Sequence, residues 1–579
     1  MRRIGLYWLA VALFGVPSLV AEAQTPRGAS QVAQNTVNQQ TPVYDVILRG
    51  GTIYDGSGGP PGVGDVGLRG DRIAAVGNLA GARAAREVDV RGLAVAPGFI
   101  NMLSWATVSL LHDGRSQSDI RQGVTLEVFG EGWSMGPLNA RMRKDMADGQ
   151  GDIKYDVAWS TLAEYMDYLV SRGISCNVAS FVGATTVRIH VLGYEDRRPT
   201  ADELDQMRQL VRQAMEGGAL GVGSSLIYAP AFYADTQELI ELCKVAAKYQ
   251  GMYITHMRSE GNKLLEAVDE TIRIAREAGL PAEIYHLKAA GRDNWPKLGR
   301  VVEMVEAARA GGTRITADMY VYTAGSTGLN GAMPPWVQEG GLQQWIARMR
   351  DPQIRARVAA EMRTPTDKWE NLLLAAGSPD RVLLVGFKNL ALKNLTGKTL
   401  AEVAHRRKTS PEETAMDLVI EDDSRVDTVY FMMNEEDVKR NIALPWVSFG
   451  SDAPSEAPEG AFTLANTHPR TYGNVARLLG KYVRDEKVIS LAEAIRKLAA
   501  LPAENLGLRD RGQLRPGYVA DVAVFDPAKI QDHATYAESH QYATGMMHVF
   551  VNGTQVLADG EHTGAKPGRA VWGRGRKAP

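Results

Sequence analysis

Eight apolar runs separated by helical stretches dominate the middle of the chain, and they restrict the folds open to it. The runs are Leu93 to Ile100, Val124 to Gly130, Cys176 to Val182, Ala219 to Ser224, Met252 to Thr255, Ala282 to Tyr285, Thr313 to Ala317 and Val447 to Gly450. Each has the length and apolar character of a buried strand. Amphipathic helices are predicted between several of them. One has Leu264, Leu265, Val268, Ile272 and Ala275 on a single face and stops at Gly279. Eight buried strands joined by helices fit a parallel (β/α)8 barrel better than an open sheet. Between the seventh and eighth runs, Trp336 to Ala443 is far too long for a plain connection, and it reads as an inserted lid or subdomain with helices of its own.

Both chain ends have a different texture, with short alternating strands and Gly-rich turns. Tyr44 to Arg49, Val66 to Arg69, Arg72 to Val76 and Arg86 to Val90 lie near one end. Val519 to Phe525, His548 to Val551 and Thr554 to Leu557 lie near the other, with Asn552-Gly553 as a hairpin turn. The predicted organisation is therefore a β-sandwich built from residues 43–95 and 508–579 around a barrel spanning 96–507.

Met1-Arg2-Arg3, the apolar run Leu6 to Val20 and Ala21-Glu22-Ala23 form a secretory leader pattern over residues 1–23. The competing reading is an uncleaved anchor. Residues 24–42, rich in Gln, Thr, Ala and Asn, read as a flexible tether. The protein is thus expected to be exported, periplasmic or secreted, with no membrane span after cleavage. Its only cysteines, Cys176 and Cys243, are expected to be small buried hydrophobes. With 65 basic and 67 acidic residues and no long basic block, nucleic acid is not an expected partner; a small-molecule substrate is.

In a barrel of this type the chemistry lies at the C-terminal ends of the strands. Those ends carry Glu131, Tyr228, His256, His286 and Asp452. Two neutral imidazoles on adjacent strand ends, with a carboxylate, can hold one zinc ion, and Asp452 is placed to move a proton. Each could instead be structural: a hydrogen-bonded core histidine, a helix N-cap at Asp452, an exposed Gly-Glu-Gly turn at Glu131.

Several segments carry a family resemblance, from about Tyr44 to Gly573. They are Ile47 to Gly51, Ala96-Pro97-Gly98-Phe99-Ile100, Gln122 to Thr125, Thr255-His256-Met257-Arg258, His286-Leu287-Lys288, Gly450-Ser451-Asp452, His468-Pro469-Arg470-Thr471-Tyr472-Gly473 and Leu514 to Gly517. On these the chain resembles the N-acyl-D-amino-acid deacylases (D-aminoacylases) of the amidohydrolase superfamily. The resemblance implies an amide hydrolase with one zinc per chain, or another divalent ion in its place, acting on a small N-acyl amino acid, of D configuration by analogy, a dipeptide or a related compound. It implies Asp452 as catalytic base, Tyr228 polarising the carbonyl, and Lys288 with Tyr320 or Tyr322 holding the substrate carboxylate. Arg470 could pair with a carboxylate in the barrel mouth.

Two departures stand out. Where the family has Asp-x-His-x-His, binding a second ion, this chain has Asn101-Met102-Leu103-Ser104-Trp105. Where the family has a ligand cysteine after the second strand, it has Gly130-Glu131-Gly132, with Glu131 within one position of the missing thiolate. A His256, His286, Glu131 set keeps an open site for water, with Leu103 and Trp105 expected to make that side of the pocket apolar and close off the second site. The rival reading is a barrel that has lost its metal and become an inactive binding or scaffolding protein. Trp105 filling the metal position, with Glu131 turned away, would favour it.

Overall fold

The apolar runs become parallel strands. In the structure, a computed structural model that describes residues 43–577, they are Phe99–Asn101, Val124–Phe129, Asn177–Ser180, Val182–Gly183, Gly221–Ser225, Met252–His256, Ala282–Ile284, Ile315–Met319 and Val447–Phe449. The expected leader and the tether lie outside the described residues. The strands form two ladders: one joins the first three, and the other runs from Val182–Gly183 to Val447–Phe449. Phe181 separates the ladders, its N–H bonding to Phe129 O at 2.9 Å. First and last strands meet through single backbone bonds, Met102 N–H to Phe449 O at 3.2 Å and Asp452 N–H to Leu103 O at 2.8 Å. The expected ring is therefore present in part, as mixed α/β architecture with two parallel ladders.

The run Leu93 to Ile100 is not one strand. Ala94–Pro97 pairs antiparallel with Val522–Phe525, whereas Phe99–Asn101 pairs parallel with Val124–Phe129. The break falls at Gly98, where a Cβ would sit 2.2 Å from Thr125 Oγ1. Only glycine lets the chain pass from one sheet to the other so close to its neighbour.

The chain ends form one branched nine-stranded sheet, where a two-sheet sandwich was predicted. Tyr44–Ile53 pairs with three strands, Gly62–Arg69, Ala84–Asp89 and Ala94–Pro97, and so joins what would otherwise be separate layers. Leu48, Val66, Leu68, Ile73, Val522, Val524 and Phe550 give this sheet its own core.

Helix Leu264–Ala278 buries Leu264, Val268, Ile272 and Ala275, as the spacing predicts, and stops at Gly279 in the left-handed conformation. Cys176 and Cys243 are free and buried. The long insertion holds helices such as Leu342–Met349 and Pro411–Asp422, and also a small antiparallel sheet of Gly325–Gly328, Asp427–Tyr430 and Val382–Gly386. It thus begins before Trp336. No helix among the described residues is long and apolar enough to cross a membrane.

Inside the parallel strands Glu283 is fully buried, accepting from Thr316 Oγ1 at 2.6 Å and Asn505 Nδ2 at 2.8 Å. Burial, reinforced by Asp318, pushes its pKa up to about 8. A carboxyl raised on folding favours the protonated state, so its contribution to stability is complete below its unfolded pKa and is lost as pH rises through 8. Glu283→Gln should therefore melt at a higher temperature than wild type at pH 8. The difference should largely vanish at pH 5 in paired thermal unfolding curves.

Candidate active site

His256 closes the strand Met252–His256, and His286 lies two residues beyond Ala282–Ile284. His286 has φ +36° and Asp452 has φ +50°. Left-handed backbone at two such residues costs on the order of 1–3 kcal/mol each and persists only where the surroundings hold it. Here the His286 N–H donates to Asp318 Oδ1 at 2.8 Å. The Asp452 N–H bond to Leu103 O does the same at the last strand.

Glu131 stands between Gly130 (φ +112°) and Gly132 (φ +71°), which turn the loop inward; a Cβ on Gly132 would lie 2.7 Å from Ser225 N. The side chain is buried and faces the histidines. Its Oε1 lies 3.0 Å from His256 Nδ1 and 3.0 Å from His286 Nε2. The two imidazole rings are 4.6 Å apart and nearly perpendicular. Burial alone would raise the Glu131 carboxyl, but the two imidazoles bonded to it hold it well below the usual carboxylate range. Burial and nearby Lys288 work against a charge on His286, yet Glu260 and Glu131 outweigh them and its pKa is pushed up to about 10.

Asp452 enters from the opposite side. Its Oδ2 pairs with Arg470 Nη2 at 2.8 Å, and its Oδ1 accepts from Trp105 Nε1 at 3.1 Å. Burial raises its carboxyl, with Arg470 opposing. Arg470 stacks on Tyr320, 4.3 Å from the ring centroid, and its Nε and Nη1 are buried without partners. Tyr228 packs edge-on to His256 at 5.4 Å. All these residues and Lys288 line one cavity of about 470 Å³. A larger cavity, about 720 Å³, opens beside Arg258 and Trp369. Arg258 there is paired with Glu270, and Lys263 with Glu266 and Asp367.

Not every expected residue reaches the site. Tyr322 points elsewhere: its hydroxyl donates to Pro469 O at 3.4 Å and Arg477 covers its ring at 4.9 Å. Tyr320 and Tyr322 part company here because the strand ends at Met319 and the chain then turns. Leu103 packs in the core with Ile100 and Val128 and does not line the cavity. Trp105 does line it, but it is not an apolar plug: its N–H also donates to Glu131 Oε2 at 3.0 Å.

Glu260 was missed in the sequence. Its Oε1 lies 2.5 Å from Lys288 Nζ and 2.9 Å from His286 Nδ1, and its Oε2 is 3.6 Å from His256 Nε2. The signal was its place four residues after His256, in a loop where no period applies. His468 is structural, with Nδ1 accepting from the Arg470 N–H at 3.0 Å and Nε2 facing Ala324 O at 3.0 Å.

The donor set suits a divalent ion. Glu131, His256 and His286 are the one three-residue group among the described residues able to hold one, with ligand atoms within 4.8 Å of one another. Ligands about 2.0–2.1 Å from zinc in a tetrahedron stand roughly 3.3 Å apart. The 3.0 Å spacings need open by only a few tenths. His256 Nε2 is buried without a hydrogen-bond partner. With an ion on Nδ1, that nitrogen carries the proton and faces Glu260, the arrangement by which a carboxylate orients a ligand imidazole.

A carboxylate-imidazole cluster facing an aspartate at the ends of parallel strands fits the site of a metal-dependent hydrolase of α/β type. The comparisons agree. Residues 86–557 match the amidohydrolase family. D-aminoacylase of Alcaligenes xylosoxydans xylosoxydans is 35% identical over 534 residues, covering 91% of this chain and 97% of the relative. A crystal structure of D-aminoacylase, described as defining a novel subset of amidohydrolases, superposes with TM-score 0.75 at 35% identity, covering 91% of this chain and 99% of that one. N-acyl-D-glutamate deacylase from Bordetella bronchiseptica, complexed with zinc and a phosphonate inhibitor, gives TM-score 0.74 at 28% identity, covering 91% and 99%. The chain belongs to the amidohydrolase family, in its D-aminoacylase branch.

Proposed function

We propose that this protein hydrolyses the amide bond of a small N-acylated amino acid, with one zinc ion held by His256, His286 and Glu131. The observation that carries the reading is the convergence of these three donors on one point, in the same cavity as Asp452. An ion bound there supplies Lewis acidity toward a carbonyl and makes water more acidic. Asp452 accepts a proton as water adds to the amide carbon. It returns that proton to nitrogen as the C–N bond breaks, so free amine and carboxylic acid leave. Tyr228 donates a hydrogen bond to the carbonyl oxygen as negative charge develops. Lys288, Tyr320 and the unpartnered N–H groups of Arg470 receive the substrate's carboxylate. Glu260 pairs with Lys288 and orients both imidazoles.

Several further points belong to the same reading. The two ladders together are taken as a (β/α)8 barrel, with residues 43–95 and 508–579 as a second domain and the insertion, from the strand Gly325–Gly328 to about Ala443, as a lid. The first 23 residues direct export to the periplasm or beyond. A preference for D-amino acids is supported by the relatives that carry that name, D-aminoacylase and N-acyl-D-aspartate deacylase. The alternative of an inactive binding or scaffolding protein would have gained from Glu131 turned away and Trp105 in the metal position; instead Glu131 faces the histidines and accepts from Trp105 Nε1.

The test is release of free amine from paired N-acetyl-D- and N-acetyl-L-amino acids by zinc-loaded protein. The expected result is turnover of one or more D compounds at least 10-fold faster than their L partners. Zinc-loaded protein inert toward the whole panel would overturn the reading.

A further inference from the structure

One hydrogen-bond donor in the site serves two carboxylates. Trp105 Nε1 lies 3.0 Å from Glu131 Oε2 and 3.1 Å from Asp452 Oδ1. The other oxygen of each carboxylate is also committed: Glu131 Oε1 to the two imidazoles, Asp452 Oδ2 to Arg470. Two carboxylates that share one donor, one buried and the other nearly so, repel unless positive charge or a donor lies between them. In many hydrolases a second cation fills that place. Here the flank offers no ligands for one. Leu103 is packed in the core, and the Asn101 amide is used by Asp119 and Ser451. An indole N–H donates and cannot coordinate.

We propose that Trp105 is a positioning residue that stands in for a second cation, bridging Glu131 and Asp452 and presenting Glu131 to the metal through Oε1 alone. The consequence is a centre built for one ion. Held this way, Glu131 would offer an ion one oxygen only, and Asp452, bonded to Trp105 and Arg470, would stay free to act as a base. The inference rests on the metal reading above.

Two variants test it, each read by zinc titration against a chromophoric chelator and by elemental analysis of the full chain. Trp105→Phe keeps the ring and removes the N–H; zinc affinity should fall 10–100-fold, the range seen when a group orienting a ligand is lost. Trp105→His places a coordinating nitrogen between the same two carboxylates, and stoichiometry should rise from one zinc per chain to two. Wild-type affinity in Trp105→Phe together with a single zinc in Trp105→His would overturn the role of Trp105. Wild-type protein that binds no zinc would instead overturn the metal reading itself, so the two failures are distinguishable. Should Trp105→Phe not fold, the stoichiometry of Trp105→His alone decides.

Discussion

Asp452→Asn is expected to lower kcat by about 10³-fold or more, with KM little changed, because general acid–base groups contribute about 10²–10⁴-fold and this one serves both steps. The substitution is nearly isosteric. Asparagine can still accept from Trp105 Nε1, and the backbone bond to Leu103 O is untouched. Zinc content should therefore match wild type, since Asp452 does not belong to the three-donor group. Steady-state kinetics on zinc-loaded protein, with metal content measured in the same sample, separates loss of the base from loss of the site. Activity within 10-fold of wild type would remove Asp452 from the mechanism.

The second large effect is on the metal. Replacing both His256 and His286 with alanine takes away two of three ligands and leaves Glu131 buried among groups that no longer balance it. Loss of two imidazoles should abolish stoichiometric zinc binding, not merely weaken it, since a lone carboxylate does not hold a structural or catalytic ion in competition with a chelator. Activity should fall below detection in parallel. Folding should survive, because neither ring belongs to the apolar core and both face the cavity. Circular dichroism and thermal unfolding of the double variant check that point.

How much of this was legible in the residues differs from element to element. The parallel strands could be read because a strand covered on both faces must be apolar throughout, and such runs leave few alternatives. The same property hid the break at Gly98: an uninterrupted apolar run does not show that its halves join different sheets. The strand Gly325–Gly328 was invisible for the opposite reason. Its Gly-Ser-Thr-Gly sequence has no apolar pattern, and pairing with Asp427–Tyr430 alone makes it a strand. In the site, His256 and His286 stood out because strand ends place their side chains on one rim. Glu131 was legible from its strand-end place, within one position of the family's ligand cysteine, whereas its flanking glycines alone also fitted an exposed turn; in the fold they turn it inward. Glu260 and Asp318 were not, since their roles depend on loops and neighbouring strands meeting in space. Trp105 was misread because its area is mostly apolar, whereas its one polar atom decides what it does here.

The central claim is that Glu131, His256 and His286 form a single metal centre, and elemental analysis of the purified protein tests it most directly. About one zinc per chain in wild type, absent from the His256→Ala/His286→Ala variant, is the predicted result. No stoichiometric metal in wild type, even when zinc is supplied throughout purification, would contradict it.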